Sequence, residues 1–136
     1  MKRSKKIAVA LLLSVCMLFG CVASVAYAEE AQNRMLYFSN YYADLFIEDD
    51  GIAYPCAALA GKCPANSSSI MLILQRKIGD SWGYVDSWYV EENYEFASIA
   101  EECRVSRGTY RCVGTFTIVT DEGSETREMI SAERTY

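Results

Sequence analysis

Cysteine is the residue type best placed for covalent chemistry in this chain, because the sequence contains no histidine. Ser-His-Asp and Cys-His catalytic arrangements are therefore excluded. Four of the six cysteines lie beyond residue 28, namely Cys56, Cys63, Cys103 and Cys112. No two of these four have the C-x₂-C spacing of zinc sites. Their even number favours disulfide bonds over metal ligation.

Strand periodicity suggests how these cysteines pair. Between Tyr110 and Val119, alternation places Cys112 on the inward face of a strand, and Cys56 occupies an inward position in the run that begins at Ile52. A Cys56–Cys112 bridge between two sheets is predicted, which would stabilise the fold by ~4 kcal/mol in the chain-entropy model. A second bridge, Cys63–Cys103, requires the strand to break at Gly61. The pairings Cys56–Cys103 and Cys103–Cys112 remain open.

Carboxylates offer the other chemistry. The pairs Glu91-Glu92 and Glu101-Glu102 could support acid–base catalysis of glycoside hydrolysis, but adjacent side chains on a strand point to opposite sides. The acidic loop at residues 48–51 lacks the ordered oxygen spacing of calcium loops and is predicted to be a solvated hairpin tip. The sequence therefore predicts no catalytic residue, no metal and no cofactor.

Aromatic residues are the remaining candidates for a binding site. Exposed rings can stack on sugars or anchor a protein partner, although aromatic residues are also common core residues. Trp82, Tyr84 and Trp88 share strand parity, and Tyr41 and Tyr42 stand at the beginning of the first clear strand. These five are the candidate binding aromatics, with core packing as the alternative.

The elements that must position these residues are short apolar runs separated by turn residues. The runs are residues 41–47, 52–60, 68–77, 82–90, 97–105, 108–119 and 124–136. Seven such runs in about 100 residues, with turns rich in Gly, Asp and Asn, predict an all-β fold. The expected architecture is an immunoglobulin-like, two-sheet antiparallel sandwich of about seven strands, stapled by disulfides.

A tyrosine at the start of the sixth run supports this architecture. The segment Gly108-Thr109-Tyr110-Arg111-Cys112 resembles the tyrosine corner of immunoglobulin-like domains. We expect Tyr110 to be buried, with its hydroxyl bonded to the backbone of residues 104–107. No tryptophan follows Cys56 on the third run, so the pattern predicts the sandwich and not membership of the antibody superfamily.

The N-terminus has the pattern of an export signal. Four basic residues precede an uncharged apolar stretch from Ile7 to Ala26, and Ala26-Tyr27-Ala28 is typical of a cleavage site. We predict a signal peptide at 1–28, a flexible segment at 29–40 and a β-sandwich domain at 41–136. One alternative is a membrane anchor. The other is a lipoprotein attached through Cys21, although Phe19 is bulky for that motif and the apolar run continues beyond the cysteine.

Net charge excludes nucleic acid as a partner. Without the four basic residues of the signal, nine Lys and Arg face 18 Asp and Glu, a net charge of −9. Such a chain repels nucleic acid and anionic headgroups.

Several short motifs resemble a family of small secreted bacterial proteins with an immunoglobulin-like or related β-sandwich and no established activity. The motifs are Leu74-Gln75-Arg76-Lys77, Ser81-Trp82, Val85-Asp86-Ser87-Trp88, Val105 to Arg111, and Ser124-Glu125-Thr126. The resemblance covers about residues 45–136 and implies fold and compartment only.

The sequence thus predicts a secreted or cell-envelope binding module that is not an enzyme. Its expected partner is a protein or glycan at the cell envelope, with no membrane span after signal cleavage. The alternatives are a small secreted glycan-active enzyme or hydrolase, which depends on the surface carboxylates, and a purely structural envelope protein.

Overall fold

Short apolar runs and tight turns produce nine β-strands in residues 35–136, the part of the chain that the computed structural model describes. The strands are β1 (Phe38–Ile47), β2 (Ile52–Gly61), β3 (Ser67–Ile78), β4 (Ser81–Glu92), β5 (Phe96–Ala100), β6 (Cys103–Arg104), β7 (Thr109–Thr120), β8 (Gly123–Ile130) and β9 (Arg134–Thr135). The predicted signal peptide at 1–28, which includes Cys21, lies outside the described residues. Within 35–136, no helix is long and apolar enough to cross a membrane.

These strands form two antiparallel sheets. Sheet A has the order β1-β2-β5, with β6 also paired to β2, and sheet B has the order β4-β3-β7-β8, with β9 also paired to β7. Seven strands have five residues or more, and β6 and β9 have two each. The prediction of an all-β fold with two antiparallel sheets is therefore confirmed.

Inward side chains of both sheets make one core. Phe116 and Ile118 of β7 and Leu72 of β3 are fully buried, and Leu45 and Leu59 lie on the inward face of sheet A. Burying one apolar side chain of this size contributes about 1.5–3 kcal/mol.

Two hairpin turns depend on glycine. Gly51 (φ 84°) closes the turn between β1 and β2, and Gly79 (φ 62°) closes the turn between β3 and β4. Only glycine adopts these dihedrals without strain.

Tyr110 forms the predicted corner. Its side chain is 2% exposed, and its hydroxyl donates a 2.7 Å hydrogen bond to the carbonyl oxygen of Ser106. The bond ties the start of β7 to the loop that precedes it. The expectation of a buried hydroxyl bonded to the backbone of residues 104–107 is confirmed.

The first strand begins earlier than predicted. Residues 38–40, expected in the flexible segment, belong to β1, and Phe38 is fully buried with its ring 5.3 Å from that of Tyr41. A register irregularity between Phe38 and Asn40 breaks the alternation there, so a period-two pattern could not identify this part of the strand.

Candidate functional site

The predicted orientation of Cys56 is wrong. Cys56 lies opposite Asp44 of β1 and Ala100 of β5, both exposed, while its neighbour Ala57 is buried. Residues paired across antiparallel strands share a face, so Cys56 lies on the outer face of sheet A. Cys112 is fully buried on the inward face of sheet B.

The predicted bridge between Cys56 and Cys112 is also absent, because Cys56 lies on the outer face of sheet A and Cys112 lies on the inward face of sheet B. Cys56, Cys63, Cys103 and Cys112 are all free thiols in the structure. Burial, with smaller contributions from Cys56 and Asp44, raises the pKa of Cys112 to about 12. Burial followed by the Asp86 charge raises the pKa of Cys103. Neither effect favours a thiolate, so these two thiols are poor nucleophiles.

The carboxylates of the adjacent residues Glu91 and Glu92 do not converge into a catalytic pair. Glu91 lies opposite Ser69 and Glu92 opposite Ser68, so the two point to opposite faces of sheet B, as predicted. The Tyr89 hydroxyl donates a 2.6 Å hydrogen bond to Glu91. Within residues 35–136, no group of three or more Cys, Asp or Glu side chains is arranged to hold a metal.

Three oxygens of the acidic hairpin at 48–51 accept hydrogen bonds from the protein itself. Asp50 Oδ1 accepts a 3.1 Å bond from the amide of Ile52, and Glu48 accepts a 3.3 Å bond from the Tyr54 hydroxyl. The Asp50 carbonyl accepts a bond from Arg104. These contacts are those of a closed turn.

The three aromatic candidates on β4 do not share a face. Tyr84 lies opposite Gln75 and Asp86 lies opposite Leu74, so Val85 is an extra residue, a β-bulge. Beyond the bulge the parity is reversed, and Trp88 faces the core side opposite Leu72. Trp82 and Tyr84 remain on the outer face of sheet B. The predicted common face for Trp82, Tyr84 and Trp88 is therefore wrong.

The two N-terminal aromatic candidates, Tyr41 and Tyr42, point to opposite faces of sheet A. Tyr41 points inward opposite Leu59, and its ring centroid lies 5.3 Å from that of Phe116. Tyr42 lies on the outer face of sheet A and is 48% exposed. Tyr41 is thus half-buried and packs against the core, and only Tyr42 remains available to a partner.

Four large apolar or aromatic side chains are exposed on the outer face of sheet B, namely Met71, Tyr84, Tyr89 and Ile130. Successive rows across β4, β3, β7 and β8 are Tyr89–Met71–Thr115–Glu128 and Ser87–Ile73–Val113–Ile130, followed by Tyr84–Gln75–Arg111 across the first three strands. Tyr84 is 68% exposed and Tyr89 is 55% exposed. Large apolar side chains displayed together in this way are typical of interaction surfaces.

At one end of this face, cations surround a tryptophan. The guanidinium carbon of Arg111 lies 4.2 Å from the Trp82 ring centroid, and the Lys77 ammonium lies 5.9 Å from it. Nε of Arg111 donates a 2.8 Å hydrogen bond to Oε1 of Gln75. We call Gln75, Lys77, Trp82, Tyr84 and Arg111 the Trp82 cluster.

The Trp82 cluster lies at a basic end of sheet B. Arg76 donates a 2.7 Å bond to the Arg107 carbonyl, and its side chain covers Gly108. Residues 35–136 contain eight Lys and Arg, and four of them lie at this end of sheet B. Positions 76 and 77 are on β3, position 111 is on β7, and position 107 is in the loop before β7. This local positive charge contrasts with the acidic chain as a whole.

Sequence reasoning missed Arg111, Lys77, Gln75 and Tyr89 as site residues. Its one usable signal was the position of Arg111 directly before the inward Cys112, because alternation along a strand places such a neighbour on the outward face. The meeting of Arg111 with Trp82 spans three strands and depends on the register of β4, β3 and β7.

The chain matches no protein-family model and no curated protein. Among solved structures, it is similar to the CARDB domain of the PF1109 protein from Pyrococcus furiosus, crystallised in complex with di-metal ions. The two are 11% identical, with a TM-score of 0.38, over 71% of this chain and 90% of that domain.

Proposed function

We propose that this chain is an exported, non-catalytic binding module that recognises a component of the cell envelope through the outer face of sheet B. The observation that carries the proposal is the exposure of Tyr84 and Tyr89 on β4, a strand that is already hydrogen-bonded to β3. Their backbone is ordered before a partner arrives, so binding does not bear the cost of folding the surface.

The immunoglobulin-like form of the sandwich is part of the proposal. Strands β1, β2 and β5 form one sheet, and β4, β3, β7 and β8 form the other. Three-stranded and four-stranded sheets in this connectivity, with a tyrosine corner at the start of β7, are features of immunoglobulin-like domains. Such sandwiches serve as rigid supports for exposed recognition residues.

The chemistry of the outer face supports binding more than catalysis. Its polar groups are amides, hydroxyls, the two cations and the separate carboxylates of Glu91 and Glu128, and the Glu91 carboxylate accepts a hydrogen bond from the Tyr89 hydroxyl on the surface. Rings with a polar edge and nearby hydrogen-bonding groups are the usual hot-spot residues of binding surfaces.

Co-sedimentation of the purified exported chain with isolated cell envelopes tests the proposal. Wild-type protein should bind saturably. Replacing both Tyr84 and Tyr89 by Ser should weaken binding by at least about tenfold, since two hot-spot rings contribute more than about 1.4 kcal/mol.

A matched control uses the opposite sheet. Tyr42 and Phe46 are similarly exposed on the outer face of sheet A, and the double change Tyr42→Ser/Phe46→Ser should leave envelope binding unchanged. Equal losses in both double variants, with both folded by circular dichroism, would remove the assignment to sheet B. Absence of saturable binding by the wild-type chain would reject the binding function itself.

A further inference from the structure

We propose that the Trp82 cluster binds the carboxylate groups of an acidic polysaccharide, with Arg111 and Lys77 as the cations and Tyr84 as the stacking surface for a sugar ring. This rests on the proposed function, because it specifies the ligand of the same outer face. It adds a chemical class, a uronate-containing glycan, and assigns a role to each side chain.

Arg111 is held in one orientation by two contacts. Its guanidinium stacks at 4.2 Å from the Trp82 centroid, and its Nε donates to Gln75. The ring contact restrains the position of the guanidinium, and the hydrogen bond restrains its orientation. The two terminal amino groups have no acceptor among the residues of 35–136 and remain available to a ligand. A planar fork of this kind matches a carboxylate in two parallel hydrogen bonds.

Lys77 adds a second cation beside the same ring. Its side chain is exposed, and its ammonium lies 5.9 Å from the Trp82 centroid. Within the described part of the chain, salt bridges join Arg127 to Glu125 and Arg134 to Asp44, but none involves Lys77 or Arg111. Two cations left without a carboxylate partner in so acidic a chain provide local complementarity to an external anion.

Tyr84 provides the surface for the sugar itself. Its ring is 68% exposed, and its hydroxyl is 3.0 Å from Oγ of Ser87, which restrains it. Tyr84 and Arg111 flank Gln75 in one row, about 10 Å apart between Cα atoms at ordinary strand spacing. A uronate carries its carboxylate directly on the ring. A ring stacked on Tyr84 can therefore reach Arg111 with its carboxylate while its hydroxyls meet the Gln75 amide.

The positions of the cluster residues favour a glycan over the other anionic polymers. A peptide strand added to the edge of β4 would form hydrogen bonds along that edge, whereas Arg111 is on β7, two strands away. Nucleic acid and anionic membranes are bound through many cations along an extended surface, whereas the cluster supplies two. A uronate polymer carries one charge per acidic sugar and an apolar ring face, and the cluster has a partner for each.

Oligogalacturonate is the probe, and its fully methyl-esterified form is the matched ligand control with the same rings and no charge. Calorimetry with the purified exported chain should show binding of oligogalacturonate and at least tenfold weaker binding of the ester. Arg111→Gln should weaken oligogalacturonate binding by at least tenfold, and Arg111→Lys, which keeps the charge without the fork, by several-fold. Arg104→Gln, which removes a cation of sheet A, should change nothing.

Melting temperatures of all variants within a few degrees of wild type show that binding, and not folding, is altered. Equal affinity for acid and ester, no loss in Arg111→Gln, or no binding of oligogalacturonate would each overturn the ligand assignment. Preference for polyglutamate or for anionic vesicles over oligogalacturonate would also overturn it. If Arg111→Gln binds envelopes normally while the Tyr84/Tyr89 double variant does not, this inference fails and the proposed function stands.

Discussion

β7 and β4 are both twelve residues long and belong to the same sheet, yet they differ in almost every other respect. β7 has a partner on each side, with β3 along one edge and β8 and β9 along the other. Its side chains alternate between buried and half-buried from Tyr110 to Ile118. β4 has β3 as its only partner in the described sheet, contains a bulge at Val85 and does not alternate cleanly.

In the proposed binding function, stability and recognition belong to different strands of one sheet. Two hydrogen-bonded ladders fix the register of β7, so each inward side chain has one place in the core. A single ladder allows β4 to accommodate an extra residue, which changes which side chains face outward. The core therefore depends on β7, and the displayed rings Trp82 and Tyr84 are on β4.

Phe116→Ala on β7 should have the largest effect. The ring is fully buried and packs against Tyr41, so its removal opens a cavity and should cost about 3–5 kcal/mol. Tyr89→Ala on β4 removes a ring that is 55% exposed and should cost less than about 1 kcal/mol. Urea unfolding measures both, and equal losses would mean that β4 contributes to the core as much as β7.

A glycine-to-alanine pair tests the same contrast with one added methyl group. A Cβ at Gly114 of β7 would lie 2.7 Å from Cζ of Phe116 and 3.2 Å from Cβ of Ala43, both buried. Neither neighbour can move freely, so Gly114→Ala should destabilise by about 1–3 kcal/mol.

Gly83 of β4 is the matched position. A Cβ there would lie 2.6 Å from Cδ1 of Ile78, a side chain that is 62% exposed and free to rotate away. Gly83→Ala should leave stability unchanged or raise it by about 0.4–1 kcal/mol through a less flexible unfolded chain. The same denaturation assay applies, and a loss at Gly83 as large as that at Gly114 would contradict the idea of a permissive β4.

Alkaline pH should weaken the core around β7 through Cys112. Its native pKa of about 12 exceeds the value of about 8.5 expected in an unfolded chain. The native state therefore keeps a proton that the unfolded state releases, so stability is constant below about pH 8.5 and falls as pH rises towards 12. By pH 10 the loss is about 1–2 kcal/mol.

Two variants isolate this loss from other titrations. Cys112→Ala should be less stable at neutral pH but should lose less stability than wild type between pH 8 and pH 10. Cys63→Ala, which removes an exposed thiol, should keep the wild-type pH dependence. Urea unfolding at each pH measures the difference, and parallel pH curves for wild type and Cys112→Ala would contradict the buried thiol as its source.

The sequence predicted β7 well for a specific reason. Polar residues such as Arg111 and Thr115 alternate with apolar Cys112 and Phe116, and only one assignment of faces agrees with that pattern. β2 offered no such contrast, because Ala57 and Ala58 are apolar on both faces, and Cys56 was assigned to the wrong one.

The candidate site was less predictable because it depends on the bulge and on register. Val85 has no glycine or proline beside it to indicate a bulge, so Trp88 was grouped with Trp82. The stack of Arg111 on Trp82 joins residues from β7 and β4 that have β3 between them. Strand order and register supply that contact, and local periodicity contains neither.

Tyr110→Phe tests the corner that begins β7. The hydroxyl's 2.7 Å bond to the Ser106 carbonyl ties the loop to the strand, so its loss should cost about 0.5–1.5 kcal/mol. Tyr110 is 2% exposed, so envelope binding should be unaffected. The unfolding free energy and the co-sedimentation with envelopes, measured on one preparation of Tyr110→Phe, test this prediction. Unchanged stability with lost binding would mean that Tyr110 contacts a partner.

Tyr84→Ala should have the smallest effect on stability and a large one on binding. The ring is 68% exposed, and its hydroxyl contacts only Ser87 on the surface, so the change in unfolding free energy should stay within about 0.5 kcal/mol. A loss above about 1 kcal/mol would mean that Tyr84 holds the bulge at Val85 in place instead of being displayed by it. Tyr84→Phe distinguishes the two roles, because it keeps the ring for stacking and removes the bond to Ser87. Full binding with unchanged stability in Tyr84→Phe, beside lost binding in Tyr84→Ala, is the result that a displayed stacking ring requires.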